Sequence, residues 1–388
     1  MSMMPGEAIN VEYDREIFLT QLRGGVSRYF ASLIAEFATD PVHCVRPTCR
    51  FRRSVNRHVL DSDSSVRPLP APALACLAAK IAMRSPSQAL REGALTMLGG
   101  PAGAVKSGDI LHLTHFQPRR SDLAASRHLA MTVHDMIPES RPADWRGWNP
   151  HEGKSALLRR ASVVFSVSAT TSRLLCERFG VPACPLVTAP HGVAHDVFHP
   201  ARAGESSQLP IDFPYILFVG KRTRYKNFVQ LLAALQSVRA GGLDVGVVAV
   251  GGGGITRHER SRVADSIGAS RFRHLTPDDG ELADLYRFAE TFCFPSEAEG
   301  FGLPALEAMA CGCPTVLADI PVFREVAGDA ALFSDPGDAD SLAQALRAVI
   351  QDRALRQSLV SCGVEHSSGY TWQQTAAAVA KGYRLAMA

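Results

Sequence analysis

The chain has 388 residues, of which 46% are hydrophobic and 20% charged, and its formal net charge is +3. This composition is that of a globular protein, the length favours two domains, and so small a charge argues against nucleic-acid binding driven by bulk electrostatics. The chain has nine cysteines and no CxxC pair, which argues against a disulfide scaffold, so we expect a reducing, cytoplasmic location.

Predicted strands and helices alternate along the first 200 residues, with long interruptions. Residues 1–14 lack the apolar core of a signal peptide, and a glycine turn with an amphipathic helix follows at 24–38. The apolar stretch 71–83 contains Lys80 and is too short to span a bilayer, so it either packs on the protein or lies on a membrane surface. Apolar runs predict strands at 107–116, 128–135 and 161–168.

The C-terminal half alternates more regularly. Asn227 is the expected N-cap of its first helix, and Pro304 and Gly312 mark the start and end of its third. The alternation predicts a parallel sheet with helices on both faces. The segment 199–214, rich in Pro, Gly and Ser, is the predicted domain boundary. Strands are predicted at 215–220, 244–254, 291–295 and 314–319, and helices at 227–242, 281–290, 304–312 and 370–388.

The loop 218–228 joins a predicted strand to a predicted helix and is strongly basic. Ligands of parallel sheets bind beyond the carboxyl ends of the strands, and cations beside a helix N-terminus suit a diphosphate. A basic turn that faces only solvent is the alternative, but the position at a strand end favours a ligand site. The cations are Lys221, Arg222, Arg224 and Lys226.

A second loop, "EGFGLPALE" at 299–307, places a glutamate at each end of a turn and a helix start. Its glycines let the backbone approach a ligand closely, and Pro304 begins the helix without losing a needed N–H. Carboxylates accept hydrogen bonds from vicinal sugar hydroxyls. A surface loop with two solvated acids is the alternative. We interpret Cys311 and Cys313, in the following "ACGCP", as small buried residues.

These motifs together resemble the retaining glycosyltransferases of family 4, which have the GT-B fold. The resemblance rests on "LADLYRFAETFCFPSEAEGFGLPALEAMACGCPTV" and "VGKRTRYKNF", and on "GGVSRYF", "VHDMIPES", "FSVSATTSRLL" and "HGV" in the first half. It implies an α/β protein with two Rossmann-like, doubly wound domains that face each other across a cleft. The acceptor domain would be residues 1–205, the donor domain 206–369, and the last helix, 370–388, would cross back to the first.

The resemblance also implies roles for individual residues around a nucleotide-diphosphate sugar. Many relatives have an arginine directly after the loop glycine, Gly220. Here Lys221 stands there, so either Lys221 or Arg222 could bind the diphosphate, and the bidentate geometry of arginine favours Arg222. By position, Glu299 and His134 would contact the donor sugar, and Glu307 would bind the ribose. The amides of Phe301, Gly302 and Leu303 would bind sugar hydroxyls and phosphate. The diphosphate would be bound by Arg222, Lys226, Gly24 and Gly25.

The activity implied is metal-independent transfer of a hexose, with no bound cofactor, to a saccharide or lipid-linked acceptor in bacterial surface polysaccharide assembly. "GGVSRYF" with "HDMIPE" suggests mannose, hence a GDP-sugar donor, with a UDP-sugar as the second choice. No nucleic-acid partner is expected. An epimerase or phosphorylase of the same fold and a non-catalytic sugar-nucleotide-binding protein are the alternatives. A dehydrogenase, suggested by "GGGG" at 251–254, lacks the ordered G-x-G-x-x-G motif.

Two further motifs are less specific. Asp61 and Asp63 have the Asp-x-Asp spacing of metal-dependent transferases, but their surroundings favour an exposed loop. The segment 43–58 has five arginines and no acidic residue. It is either a solvated loop or a contact for an anionic acceptor or a membrane surface, which would make the protein peripheral on the inner face of the membrane.

Overall fold

The structure of the chain is a computed structural model that describes residues 8–39, 41–49, 53–60, 69–70, 77–79, 81–82, 88–99, 109–118, 123, 126–145, 149–206, 209–222 and 224–388. The segment 43–58 is not one solvated loop, because Val45–Cys49 is a strand and Arg57 begins a short helix. Several residues of the sequence analysis lie outside the described part of the chain, so the Asp-x-Asp interpretation and the contact of the arginine-rich segment with an acceptor or a membrane stay predictions. They are Arg50, Arg52, Asp61, Asp63, Lys80 and the side chain of Arg53.

The chain divides into two compact units, each built on its own six-stranded sheet. The first unit comprises Met1–Gly192 with Trp372–Ala388, and the second comprises Val193–Thr371. Every strand pair in both sheets is parallel. The predicted parallel, doubly wound architecture is therefore confirmed.

The sheet of the first unit has the strand order β2-β1-β5-β6-β7-β8. Because the order reverses between β1 and β5, the loops that leave these two strands diverge and open a crevice at their carboxyl ends. The strands are β1 Ile9–Tyr13, β2 Val45–Cys49, β5 Ile110–Leu113, β6 His128–Val133, β7 Val163–Ser166 and β8 Leu186–Thr188, and a separate pair is β3 Arg53–Ser54 with β4 Leu69–Pro70. The helices are Glu16–Thr20, Gly25–Thr39, Arg57–Leu60, Gln88–Gly99, Ile137–Ser140, Lys154–Leu158, Ala169–Phe179 and Trp372–Met387.

The last helix, Trp372–Met387, packs on the first unit. Its buried side chains join the core formed by helix Gly25–Thr39 and the sheet. At Gly382 the helix comes so close to Phe165 of β7 that a Cβ atom would collide with the ring. A chain of buried hydrogen bonds also fixes it: the Tyr383 hydroxyl lies 2.6 Å from His112 Nδ1 and 3.0 Å from the Tyr13 hydroxyl.

The sheet of the second unit has the order β11-β10-β9-β12-β13-β14, which reverses between β9 and β12. Residues of β9, β10 and helix Phe228–Ala240 fill its core. The strands are β9 Tyr215–Val219, β10 Gly246–Val250, β11 Phe272–Leu275, β12 Thr291–Phe294, β13 Thr315–Ala318 and β14 Leu332–Ser334. The helices are Phe228–Ala240, Arg257–Ile267, Asp279–Arg287, Leu303–Ala310, Pro321–Ala327, Ala339–Gln351 and Arg353–Ser368.

The structure changes two details of the predicted elements. The run 244–254 is a strand only over Gly246–Val250, because Gly251, Gly252 and Gly253 have φ values of 77°, 76° and 75°, which no strand allows. Asn227 precedes its helix as predicted, but its side chain does not cap it. Cys311 and Cys313 are buried, as expected. Within the described ranges, no helix is both long and apolar enough to cross a membrane.

Candidate functional site

Two loops of the second unit meet at the point where its strand order reverses. One follows β9 and contains Gly220 and Lys226, and the other follows β12 and contains Glu299. Because β9 and β12 are hydrogen-bonded neighbours, their carboxyl ends lie side by side. Such a switch point is where open parallel sheets bind ligands. The two loops that carry the predicted diphosphate and sugar ligands are thus brought together.

Lys226 and Glu299 form an ion pair at the centre of this site, through Lys226 Nζ and Glu299 Oε1. The two side chains are 15% and 11% exposed, so the pair is sheltered but open to a ligand. The ammonium also lies 4.8 Å from the centre of the Phe294 ring, a distance at which a cation is attracted to the ring face. Lys226 is therefore held in place before any ligand arrives.

A third carboxylate, which the sequence analysis did not single out, supports this arrangement. Glu297 accepts a hydrogen bond from Asn227 Nδ2 at 2.8 Å, and its backbone N–H donates to the Tyr225 carbonyl at 2.8 Å. These contacts tie the loop after β12 to the loop after β9. They also explain why Asn227 does not cap its helix. The residues are about 70 positions apart, and only the fold shows that they meet.

The turn before helix Leu303–Ala310 requires glycine at position 302. Gly302 has φ 103°, and a Cβ atom there would lie 2.8 Å from Cε1 of Phe323. Pro304 lies in the first turn of the helix. The N–H groups at the helix start have no partner inside the helix and carry its partial positive charge, so the amides of Gly302 and Leu303 can serve an anion or a hydroxyl.

Glu307, four residues into this helix, is 4% exposed. Its Oε2 accepts a hydrogen bond from the Tyr286 hydroxyl at 3.3 Å. A nearly buried carboxylate that is fixed by a neighbour can accept hydrogen bonds in a defined direction. The glutamates at the two ends of the turn therefore differ in environment: Glu299 is paired with a cation, and Glu307 with a neutral hydroxyl.

Arg222 lies at the site but turns its side chain into the protein. Its guanidinium donates to Glu259 and to carbonyl groups of the tetraglycine turn 251–254. Only 1% of the side chain is exposed. Lys221, the alternative phosphate ligand, is exposed, as is Arg224. The contacts therefore favour Lys221 over Arg222 as a second cation for a diphosphate.

In the first unit, Gly24 and Gly25 form the start of helix Gly25–Thr39. The Gln21 side chain accepts the Ser27 N–H at 3.0 Å and folds over Gly24, where a Cβ atom would collide with it. At Gly25 a Cβ would meet nothing within 4 Å. A side chain at Gly24 would therefore displace the end of the Gln21 side chain, whereas Gly25 leaves the helix N-terminus open.

His134 follows β6 and stands in an aromatic pocket of the first unit. Its ring lies 5.0 Å from Tyr29, 5.5 Å from Phe30 and 5.8 Å from His191. Burial, reinforced by the surrounding histidines, holds the pKa of His134 well below its usual value, so the ring is neutral at pH 7. Neither ring nitrogen has a hydrogen-bond partner among the described residues. A neutral imidazole in this state can donate to or accept from a ligand hydroxyl.

Beside His134 lies a buried charge network that the sequence analysis missed. Lys154 Nζ, 2.9 Å from Glu139 Oε1, also donates to the Asp135 carbonyl at 3.0 Å. The Glu139 carboxylate lies 2.9 Å from His151 Nδ1. These contacts outweigh the burial of Glu139 and lower the pKa of its carboxyl to about 2. The network fixes the backbone immediately after His134. The sequence motif "HDMIPE" contains Glu139 but neither His151 nor Lys154.

The described residues contain no group of three or more histidine, cysteine, aspartate or glutamate side chains placed to hold a metal ion. His134, Gly24 and Gly25 belong to the first unit. Gly220, Lys221, Arg222, Lys226, Glu299, Phe301, Gly302, Leu303 and Glu307 belong to the second.

Known proteins resemble both halves of the chain. The family model described as Glycosyltransferase Family 4 matches residues 23–197, and that described as Glycosyl transferases group 1 matches residues 202–364. O-antigen chain mannosyltransferase B of Escherichia coli is 36% identical over 115 residues, 30% of this chain and 30% of that protein. D-inositol 3-phosphate glycosyltransferase of Thermobifida fusca (strain YX) is 30% identical over 250 residues, 61% of this chain and 58% of that protein. The chain thus matches less than two thirds of the length of each relative.

Among solved structures, sucrose-phosphate synthase from Thermosynechococcus elongatus matches with a TM-score of 0.69 at 20% identity, over 97% of this chain and 98% of that one. This likeness shows a shared fold and confirms the predicted GT-B class. The two family matches together take in most of the sequence, in the order that its motifs indicated. The chain therefore belongs to the group 1 glycosyltransferases of family 4.

Proposed function

We propose that the chain transfers a hexose from a nucleotide-diphosphate sugar to a hydroxyl group of a saccharide or lipid-linked acceptor. One observation carries the proposal: a sheltered lysine–glutamate pair, Lys226 and Glu299, stands at the switch point of a parallel sheet beside an open helix N-terminus. Such a site offers a cation for a diphosphate and a carboxylate for sugar hydroxyls within one ligand's reach.

In this proposal Lys226 and Lys221 neutralise the diphosphate, with help from the helix beginning at Leu303. Glu299 accepts hydrogen bonds from the donor sugar, and Glu307 accepts them from the ribose. Negative charge grows on the diphosphate as it departs, so a cation already fixed in place stabilises the transition state more than the ground state. The Phe294 ring and Glu299 provide that fixation for Lys226.

Glu299 acts as a ligand of sugar hydroxyls and not as a nucleophile. A double-displacement route in the manner of retaining glycosidases uses two carboxyl groups flanking the bond, and the partner of Glu299 is a lysine. We therefore propose a front-face reaction with retention, in which the departing phosphate oxygen takes the proton of the acceptor hydroxyl. His134, neutral at pH 7, orients a hydroxyl of the transferred sugar.

Mannose is the proposed sugar, and GDP-mannose the first donor to test. The motif resemblance supports this choice, and so does the similarity to a mannosyltransferase over 30% of the chain. We place the reaction at the cytoplasmic side of bacterial surface polysaccharide assembly, with peripheral membrane contact. The assignment of Gly24 and Gly25 to the diphosphate stays a prediction.

A donor panel tests the proposal directly. UDP-, GDP- and dTDP-sugars are added to the purified protein, and thermal unfolding and donor turnover are measured. A ligand at ~100 times its dissociation constant stabilises the fold by roughly 2.7 kcal/mol, so one base should raise the midpoint clearly. No stabilisation by any donor would refute the proposal. Binding without sugar release would indicate a non-catalytic binding protein, and a changed nucleotide sugar would indicate an epimerase.

Metal removal is a second test. Because lysine side chains neutralise the diphosphate in this proposal, EDTA should leave turnover unchanged. Loss of activity in EDTA that magnesium or manganese restores would contradict it and return attention to Asp61 and Asp63. The control is a sample without EDTA to which magnesium or manganese is added.

A further inference from the structure

We infer that Arg222 is a positioning residue, which holds the tetraglycine turn 251–254 against the loop after β9, and not a ligand of the diphosphate. The inference rests on the proposed donor site, and it gives a new role to Arg222, which the family resemblance had assigned to the diphosphate. It starts from the direction of the side chain: the guanidinium points toward the neighbouring turn after β10, and 1% of the side chain is exposed.

Most of the hydrogen-bond donors of the guanidinium are already bound to other groups of the protein. Nε donates to Glu259 Oε1 at 3.1 Å, and Nη1 donates to the Gly251 carbonyl. Nη2 donates to the carbonyls of Gly253 at 2.8 Å and Gly254 at 3.2 Å. Arginine has five N–H donors in a fixed fork, and four contacts of this kind leave little for a phosphate. Lysine could not reproduce them, because its donors radiate from a single atom.

The glycine turn is shaped around this side chain. A Cβ atom at Gly252 would lie 2.9 Å from Arg222 Nη1, 3.0 Å from the Gly220 carbonyl oxygen and 3.1 Å from Lys221 Cα. The turn therefore packs directly on the backbone that presents Lys221. Glycine is also required by the positive φ of 76°. At Gly254, by contrast, a Cβ would meet nothing within 4 Å.

Neighbouring residues complete the support. Glu259 balances the buried charge of Arg222 and also forms the capping box of helix Arg257–Ile267 with Thr256. Its partial burial acts to raise its pKa, but hydrogen bonds from Thr256 and the charge of Arg222 leave the pKa below its ordinary value. From β11, His274 Nε2 lies 2.9 Å from the Gly251 carbonyl oxygen. Arg222 thus joins the ends of β9 and β10, and His274 adds the end of β11 to this support for the diphosphate loop.

Charge-conserving substitution separates positioning from phosphate binding. Dissociation constants of UDP, GDP and dTDP are measured by calorimetry, at low and high salt, for the wild type, Arg222→Lys and Arg222→Met. If Arg222 positions the turn, both variants weaken the best-bound nucleotide by about tenfold or more, because hydrogen bonds to charged groups are lost. The salt dependence stays that of the wild type, because no charge–phosphate contact has been removed.

Two matched pairs guard against general destabilisation. Gly252→Ala should imitate Arg222→Met, whereas Gly254→Ala should bind nucleotide as the wild type does. Arg356 donates to the Glu290 carbonyl at 2.7 Å and to its carboxylate at 2.8 Å, beside the amino end of β12. Arg356→Lys should therefore lower the unfolding midpoint without changing nucleotide affinity. Gly252→Ala remains decisive if the Arg222 variants do not fold.

Three results would overturn the inference. Wild-type affinity in Arg222→Lys, together with weaker binding and a flatter salt dependence in Arg222→Met, would make Arg222 a phosphate ligand. Wild-type affinity in Gly252→Ala and both Arg222 variants would reduce the turn to a structural role. A wild-type protein that binds none of the three nucleotides would refute the donor site and this inference together, whereas the first two results leave the donor site standing.

Discussion

At the scale of the residue, Gly302 shows how one missing side chain shapes the site. Its φ of 103° is strained for any other residue, and Phe323 occupies the space that a Cβ would need. We expect Gly302→Ala to lower the free energy of unfolding by roughly 1–3 kcal/mol and to weaken nucleotide binding, because the helix start must shift. Urea unfolding and calorimetry measure the two effects. Unchanged values for both would contradict the role given to this turn.

Substitutions of Lys226 and Glu307 should have different effects on kcat and on donor binding. In the proposed donor site, Lys226→Ala removes a charged contact to the leaving group worth ~1.5–3 kcal/mol, so transfer should slow by roughly one to two powers of ten. The loss in kcat should be at least as large as the loss in donor affinity, because the diphosphate gains charge during the reaction. Equal kcat values for variant and wild type would contradict this assignment.

Glu307→Gln should instead raise the donor KM and leave kcat nearly unchanged, because the ribose does not change during transfer. The structure supplies a companion variant. Tyr286→Phe removes the hydroxyl that donates to Glu307 at 3.3 Å and should weaken nucleotide binding in the same direction, by less. A fall in kcat in either variant would place Glu307 near the reacting atoms.

At the scale of the element, the sequence predicted locally determined features better than long-range contacts. Pro304 and Gly312 correctly bracketed a helix, found at Leu303–Ala310, because proline and glycine act on their own stretch of backbone. Strand order and the pairing of Asn227 with Glu297 could not be predicted, since apolar runs do not encode which strands are neighbours. The same holds for the direction of Arg222. The sequence of a basic loop is the same whether its arginine points to a ligand or into a glycine turn.

The last helix, Trp372–Met387, offers a test of how a terminal element is fixed. Tyr383→Phe keeps the ring but leaves His112 Nδ1 and the Tyr13 hydroxyl, both buried, short of one partner. Leaving a buried polar group without a partner lowers the free energy of unfolding by ~1–3 kcal/mol, so the urea midpoint should fall. The control is Gln373→Ala, on the same helix as Tyr383, which removes an exposed contact to Glu36 of helix Gly25–Thr39 and should change stability little. Equal stability of Tyr383→Phe and wild type would show that packing alone holds the helix.

At the scale of the whole molecule, the two units can be followed separately. Of the three tryptophans, the described Trp145 and Trp372 lie in the first unit, and the sequence position of Trp148 falls within the range of the same unit. Intrinsic fluorescence therefore reports on that unit alone, whereas the Lys226–Glu299 site lies in the second. The first unit also holds several buried neutral histidines. Its stability should consequently depend on pH in a way that tryptophan fluorescence can isolate.

The sign of that dependence follows from the shifted histidines. Burial lowers the pKa of His112 to about 3, and burial with the nearby Arg28 does the same for His191. An unfolded chain would protonate both below pH 6.5, so it binds more protons than the folded state between pH 6.5 and about 3. Each histidine then removes ~1.4 kcal/mol of stability for every pH unit of acidification. The raised pKa of His115, beside Glu16, offsets part of this loss.

Urea unfolding followed by tryptophan fluorescence should therefore show the first unit losing stability as pH falls from 6.5 to 4.5, a window that stays above the titration of Glu139. His191→Phe, which keeps a ring against Tyr29 and Trp372, removes one of the protons involved. Its stability should fall less steeply, by about 1.4 kcal/mol per pH unit, than that of the wild type. A slope equal to that of the wild type would mean that His191 is already protonated in the folded protein. In that case the aromatic pocket around His134 would carry a positive charge on His191 across this pH range.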